Sequence, residues 1–376
     1  MPGSEFGTLF HVSTFGESHG CGLGVVIDGC PAGLSLSVDD IMPYMRRRKP
    51  GQGAFTTARN EGDEVEILSG VFEEKTLGTP IALLVRNKDQ HSSDYGNIKD
   101  IYRPGHADMT FDKKYGIRDY RGGGRSSGRE TLARVAAGAV AAKLLSEFGI
   151  DVISFTRSIG EVEIDERYLN PLENKVSRDK VMQSPLYMPD EDASAKAMKL
   201  IGEYRRNKDS VGGVVEIHAT GLPVGLGETV FEKIDARLSA ALFSVGAVKA
   251  VEIGDGIKSS FYAGSENNDG MTNLFGDISK TSNHAGGCLG GMTDGSMLVA
   301  RAYFKPTPSI AQTQLTVDKN GNDVSINIKG RHDPVIVPRA VVVTEAMADL
   351  VLADLLMQNA VSRLDNLKKI YTEQGE

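Results

Sequence analysis

The chain has 376 residues, 40% of them hydrophobic and 24% charged, with a net charge of −8. That length allows one large domain or two ordinary ones around a sizeable core. The acidity argues against a general nucleic-acid or membrane-surface binder while leaving room for a local basic pocket. Cys21, Cys30 and Cys288 are too few and too scattered for a disulfide framework or a zinc knuckle, and are expected to be buried, inert thiols in a reducing compartment. No run approaches the roughly 20 apolar residues that span a bilayer, and no signal-peptide pattern is seen, so a cytoplasmic protein is expected. Residues 1–6, MPGSEF, resemble a cloning scar and are set outside the fold, which leaves 7–376 as a single domain with no low-complexity linker.

Residues 9–15 and 23–28 read as short strands around the turn FGESHG, which carries Glu17, Ser18 and His19. Residues 38–48 read as a helix ending in Arg46, Arg47, Arg48 and Lys49. Cations suit the negative end of a helix dipole, but four in a row exceed what capping requires. Residues 65–72 and 81–86 have the β-branched content of two paired strands. A polar segment then leads to RPGHAD at 103–108, where His106 and Asp108 follow a Pro-Gly turn. Two ligands without a third do not make a metal centre, and no metal is expected.

The segment DYRGGGRSSG at 119–128 runs into a helical stretch at 129–148. Its glycines bring backbone N–H groups close to a ligand, and Arg118, Arg121, Arg125 and Arg129 load the turn with positive charge. Ser127 and Glu130 have capping-box spacing, which points the positive dipole end at the loop. Four guanidiniums so placed repel one another unless an anion neutralises them, so a phosphate or similar anion is expected here. The spacing fits neither the Rossmann nor the P-loop fingerprint.

Further on, helices are expected at 190–208 and 232–245, strands at 213–221 and 248–253, and helices are thus layered against sheets in an α/β fold. A second glycine loop, SNHAGGCLGGMTDG at 282–295, precedes a strand at 297–304 that ends in KPTPS, where prolines stiffen the backbone and Lys305, Thr307 and Ser309 offer donors. GRHDP at 330–334 sets a cation, an imidazole and a carboxylate together, and 340–370 is mostly amphipathic helix. The polar residues therefore concentrate in turns between core segments, where sites are built. Clustered arginines imply a ligand with several phosphates or carboxylates, and histidines add proton transfer near neutral pH. From the residues alone the reading ends at an enzyme that binds polyanions and moves protons. A phosphohydrolase and, for RGGGR, an RNA-binding protein stay open.

FGESHG at 15–20, RPGHAD at 103–108, YRGGGRSSGRET at 120–131, SNHAGG at 282–287, KPTPS at 305–309 and GRHDP at 330–334 occur in the order in which the chorismate synthase family carries them, and the chain resembles that family over nearly its whole length. The resemblance implies a layered sandwich with helices between antiparallel β-sheets, assembled as a homotetramer. It implies a 1,4-anti elimination of phosphate and a C6 hydrogen from 5-enolpyruvylshikimate 3-phosphate, giving chorismate as the last step of the shikimate pathway. Reduced FMN is required, with NADPH or a separate flavin reductase as the source of electrons; the lack of long insertions favours the separate reductase.

By the same resemblance, His19 and His106 are acid catalysts, Asp333 helps to deprotonate the flavin, and Ser18 and Ser127 assist proton relays. Arg125, Ser126, Ser127, Gly246, Ala247, Gly290, Lys305, Pro306, Thr307, Pro308, Ser309 and Arg331 match FMN-binding positions. Arg48 matches a position that holds substrate or a nicotinamide phosphate, with Arg47, Arg129 and Arg134 as further substrate-binding candidates. Two positions depart from the family pattern. Residues 52–55, QGAF, lack an arginine that many relatives carry, and Gly246 replaces a common asparagine.

Overall fold

The structure is a computed structural model that describes residues 3–49, 62–87, 99–173, 176–274, 276–328 and 333–372. The helix Thr131–Ser146 is built from alanine, valine and leucine with a glycine at its middle, and most of its residues are buried. A helix apolar all round belongs in a core rather than on a surface. Its partner is Val337–Asn359, buried from Val337 to Leu355 except at Arg339, with Pro338 in the first turn where a missing N–H costs nothing. Gly138 lies where the two helices touch, and a Cβ there would collide with Ala346.

Two five-stranded sheets enclose these helices. In the first, the spatial order is Glu5–Phe6, His11–Gly16, Gly22–Asp28, Ile81–Arg86, Val65–Ser69; in the second it is Val248–Ile253, Leu298–Phe304, Gly213–Thr220, Asp151–Ile159, Val162–Glu163. Every pairing in both sheets is antiparallel. Helices Val38–Arg48 and Thr131–Ser146 pack on the first sheet, and Val337–Asn359 and Ile234–Phe243 pack on the second. The expected sandwich of helices between antiparallel sheets is therefore the observed architecture.

Alternation decides which face of each strand meets the helices. In the second sheet Val215, Ile217 and Ala219 stand on one face of Gly213–Thr220, and Glu216 and His218 on the other. The register sets Glu216 opposite Arg301, and Arg301 opposite Glu252, so the charges pair across strands.

Several elements correct the sequence reading. Glu5–Phe6 pairs with Val12 and Ser13, and Thr14 N–H donates to the Ser4 carbonyl at 2.8 Å, so residues 4–6 belong to the sheet rather than outside the fold. The strand Asp151–Ile159 and the short helix Asp108–Tyr115 were not anticipated. The expected C-terminal helix divides into Val337–Asn359 and Leu364–Thr372. Ser127 Oγ accepts from Arg129 N–H at 3.3 Å, while the Glu130 carboxylate turns to Arg134 rather than back to Ser127. Ser127 is thus a simple cap rather than half of a capping box, and the helix proper begins at Thr131. Cys21 is exposed, whereas burial pushes the thiols of Cys30 and Cys288 up to about 11 and about 12.

Candidate active site

The ESHG turn and the glycine loop are packed into each other. Gly122 has φ +79°, and a Cβ there would overlap the His19 ring, so glycine is required on both conformational and steric grounds. Ser18 Oγ donates to the Gly122 carbonyl at 3.3 Å and lies 3.2 Å from His19 Nδ1. With the hydroxyl proton given to Gly122, Nδ1–H donates to Ser18 and Nε2 becomes the proton-exchanging atom of His19. Ser126 Oγ closes the loop on the Gly123 carbonyl at 2.7 Å. A pocket of about 150 Å³ lies between this loop, the ESHG turn and the helix Asp108–Tyr115, with Glu17, Ala107, Phe111, Gly124, Arg125 and Ser126 in its wall.

Three of the four loop arginines are neutralised by the chain's own carboxylates, which corrects the expectation that an external anion must neutralise all of them. Arg118 pairs with Asp108 at 3.0 Å, Arg121 with Asp119 at 2.8 Å, and Arg129 with Asp63 at 3.0 Å. Burial of Asp108 works against its charge, but Arg103 and Arg118 outweigh it and hold its carboxyl below the ordinary range. Arg125 differs from the others. It donates to the Gly16 carbonyl at 3.2 Å and to Thr14 Oγ1 at 2.5 Å, both neutral oxygens, and it forms no ion pair with the described residues.

The helix Val38–Arg48 splits its cations between two places. Arg48 is buried and donates through Nη2 to Asp63 at 2.6 Å, but its Nε and Nη1 are buried without a partner among the described residues. Burial lowers its pKa, and Asp63 counteracts that only in part. Arg47 instead forms a bidentate pair with Glu345 at 2.5 and 2.9 Å and is not brought to the same cluster. Arg134 bonds Glu130 at 3.0 Å and Ser244 Oγ at 2.5 Å, which fixes it beside the turn of Gly246 and Ala247.

RPGHAD borders the same pocket through Ala107 and Asp108, and KPTPS packs against RPGHAD to make a second wall. Gly105, at φ +69°, lies against Pro308, and Lys305 Nζ donates to the Gly105 carbonyl at 3.1 Å. His106 Nδ1 is 2.9 Å from the Pro104 carbonyl, which can only accept, so Nδ1 carries the proton and Nε2 faces Ser309 Oγ at 2.7 Å. Lys305 N–H donates to the Ala247 carbonyl at 3.0 Å, and Ala247 adopts φ +76°, a conformation unusual for a residue with a Cβ. Thr307 Oγ1 is buried without a partner among the described residues. A Cβ on Gly212 would lie 3.2 Å from Pro306, so the strand Gly213–Thr220 begins directly beneath this stretch. At Gly246 a Cβ would meet nothing within 4 Å, so the residue that replaces asparagine leaves open space.

Asp333 Oδ2 accepts from Arg339 at 2.6 Å, and Arg339 Nε reaches the Arg48 carbonyl at 3.3 Å, which joins the GRHDP end to the arginine helix. Gly290 occupies a turn at φ +63° between the strands Cys288–Leu289 and Met292–Thr293. Arg331 and residues 52–55 lie outside the described residues. Sequence reasoning missed Asp63, Asn87, Ser244 and Arg339. Each is a lone polar residue in an unremarkable setting, and only the pairing of distant segments reveals its place.

A chorismate synthase family model matches residues 10–357. The chain is 57% identical over 371 residues to the chorismate synthase of Agathobacter rectalis, covering 99% of each, and 55% identical over 372 residues to that of Lachnoclostridium phytofermentans, covering 99% of this chain and 100% of the relative. A crystal structure of a chorismate synthase superposes with a TM-score of 0.75 at 35% identity, covering 96% of each chain. Because the matched segment holds both walls of the site and the helices between the sheets, the chain belongs to the chorismate synthase family.

Proposed function

We propose that the protein converts 5-enolpyruvylshikimate 3-phosphate to chorismate and inorganic phosphate, with reduced FMN as cofactor, at the site between the ESHG and RGGGRSSG turns and the RPGHAD and KPTPS turns. The C3–O bond to phosphate and the C6–H bond break, and a second ring double bond forms, so substrate and product stand at the same oxidation level. What supports this reading is the way cations are held at these turns in an acidic protein: Arg48 and Arg129 share Asp63, Arg125 is held at the start of the His19 turn, and Lys305 and Ser309 hold the His106 turn. A substrate with one phosphate and two carboxylates, beside a flavin phosphate, calls for that charge.

The residues fit a flavin phosphate. Among the described residues Thr307 Oγ1 is a buried hydroxyl without a partner, and Arg125 is held by neutral oxygens with no carboxylate paired to it. Arg125, Ser126, Ser127 and Lys305 to Ser309 would hold the cofactor, with the Gly246-Ala247 backbone, Gly290 and Arg331 contributing. Reduced FMN, when bound, supplies the transient electron that eases loss of phosphate. His106, with Nδ1 fixed by Pro104, presents Nε2 as the acid near the leaving phosphate, and Ser309 is its relay partner. His19 is oriented in the same way by Ser18, and the Arg339 bond orients the Asp333 carboxylate as a proton acceptor. Arg48, Arg129 and Arg134 bind substrate anions, and the unpartnered N–H groups of Arg48 leave donors for them. Arg47 serves the structure through Glu345.

The apolar core runs through both sheets and supports a single domain. Exposed Phe231, Phe261, Ile278 and Leu315 suit burial against further copies in a homotetramer. No helix among the described residues is long and apolar enough to cross a membrane. The deciding assay is anaerobic, following chorismate absorbance and phosphate release with prereduced FMN, with oxidised FMN, and with oxidised FMN plus NADPH. Turnover with prereduced flavin alone is expected, with a separate reductase supplying it in the cell. Turnover with NADPH would assign the reductase to this chain. Phosphate without chorismate, in the absence of reduced flavin, would replace the reading with a phosphohydrolase.

A further inference from the structure

Asn87, at the end of the strand Ile81–Arg86, joins two parts of the site that come from distant segments. Its Nδ2 donates to the carbonyls of Glu17 at 3.1 Å and Gly20 at 2.8 Å, the two ends of the tetrapeptide that carries Ser18 and His19. Its Oδ1 accepts from Arg129 Nε at 2.8 Å, and its own N–H donates to the Cys21 carbonyl at 3.1 Å. The carboxamide has a single workable orientation here, because two carbonyls can only accept and a guanidinium can only donate. From its other side Arg129 is held by Asp63, which also holds Arg48. Both the histidine turn and the arginine pair are thereby referred to one side chain.

We propose that Asn87 is a positioning residue for the elimination: it sets His19 relative to Arg129, so that the acid and the substrate's anionic groups are held in one frame. This rests on the assignment of His19 and Arg129 to the site. Asparagine is the residue type the arrangement needs, since no other side chain of that length offers two donors on one atom and an acceptor on the next.

Asn87→Asp tests it with almost no change in volume. The variant keeps the acceptor for Arg129 but turns a second carboxylate oxygen against the Glu17 and Gly20 carbonyls, where no proton is left to share. We expect kcat per folded enzyme to fall about 10²-fold, the loss typical of a reacting group displaced by about 1 Å. Flavin affinity should be unchanged. The added negative charge should also move the histidine limb of the kcat–pH profile up by about one unit, which reports that position 87 faces the working histidine, while kcat lost at unchanged flavin affinity is the split that a purely structural role would not produce. Asn87→Ala, which removes all three side-chain bonds without adding charge, should lose kcat similarly with that limb unmoved, and it stands in if the aspartate variant fails to fold. Wild-type kcat and pH profile in the variants, or a lowered Tm alone, would overturn the proposal. Absence of chorismate from the wild-type enzyme with prereduced FMN would instead overturn the assignment of the reaction.

Discussion

A histidine whose Nδ1 proton is committed to a carbonyl has one nitrogen left for chemistry, and His106 is in that state. His106→Ala removes a general acid from beside the leaving phosphate, so kcat should drop about 10²–10⁴-fold in the reduced-flavin assay. Flavin affinity, measured by fluorescence quenching, should stay near wild type, because Lys305, Thr307 and Arg125 remain. Arg125→Ala should show the reverse order of effects. It deletes a cation held by neutral oxygens, so FMN binding should weaken at least tenfold, and a flavin Kd equal to wild type would remove Arg125 from the cofactor site. Much of this was legible in the sequence because histidines and arginines beside glycines and prolines are conspicuous. Asn87 and Asp63 were not, since a single amide or carboxylate acquires meaning only when the fold brings Arg129 to it.

At the scale of elements, the apolar period placed the helices well, and Val38–Arg48 has the ends that the sequence reading assigned to it. The strand Asp151–Ile159 was missed because its polar residues interrupt the apolar run. Ser154 and Thr156 are buried: the Ser154 N–H donates to Glu345 while its hydroxyl has no partner among the described residues, and Thr156 Oγ1 donates to the Leu186 carbonyl. Asp108–Tyr115 was hidden by its polarity and by ion pairs from Arg103 and Arg118 that no local pattern announces. The central helix pair makes the clearest prediction. Gly138 has no room for a Cβ against Ala346, so Gly138→Val must separate the two helices that carry the middle of the sandwich. Overpacking of this kind costs about 1–3 kcal/mol or more. A lower Tm at unchanged flavin stoichiometry should report it, and a Tm equal to wild type would mean that the helices are not packed this closely.

Across the whole molecule, buried charges tie the layers together and set how the protein responds to acid. Asp354 accepts from the N–H groups of Thr8, Leu9 and Phe10 and from Arg237, so the first sheet is anchored to the long helix. In the second sheet Glu216 bonds His218 and pairs with Arg157 and Arg301. Burial would raise the Glu216 pKa, but those three neighbours prevail and bring it from 4.5 down to about 2. The folded-state pKa is thus depressed. Its stabilising contribution is present above the unfolded value near 4.5 and is lost as pH falls from there through about 2. By linkage the shift corresponds to roughly 3 kcal/mol. Asp349 has the opposite sign, since burial and the nearby Glu345 raise its pKa well above the ordinary value, and its contribution is lost as pH rises past the unfolded value. Glu216→Gln should therefore be less stable by about 3 kcal/mol at pH 7, with two cations left against a neutral amide. Its denaturation free energy should also change less steeply between pH 4.5 and 2 than that of the wild type. Urea titrations across that range measure both quantities, and parallel curves for the two proteins would show that the Glu216 ladder is not what acid dismantles.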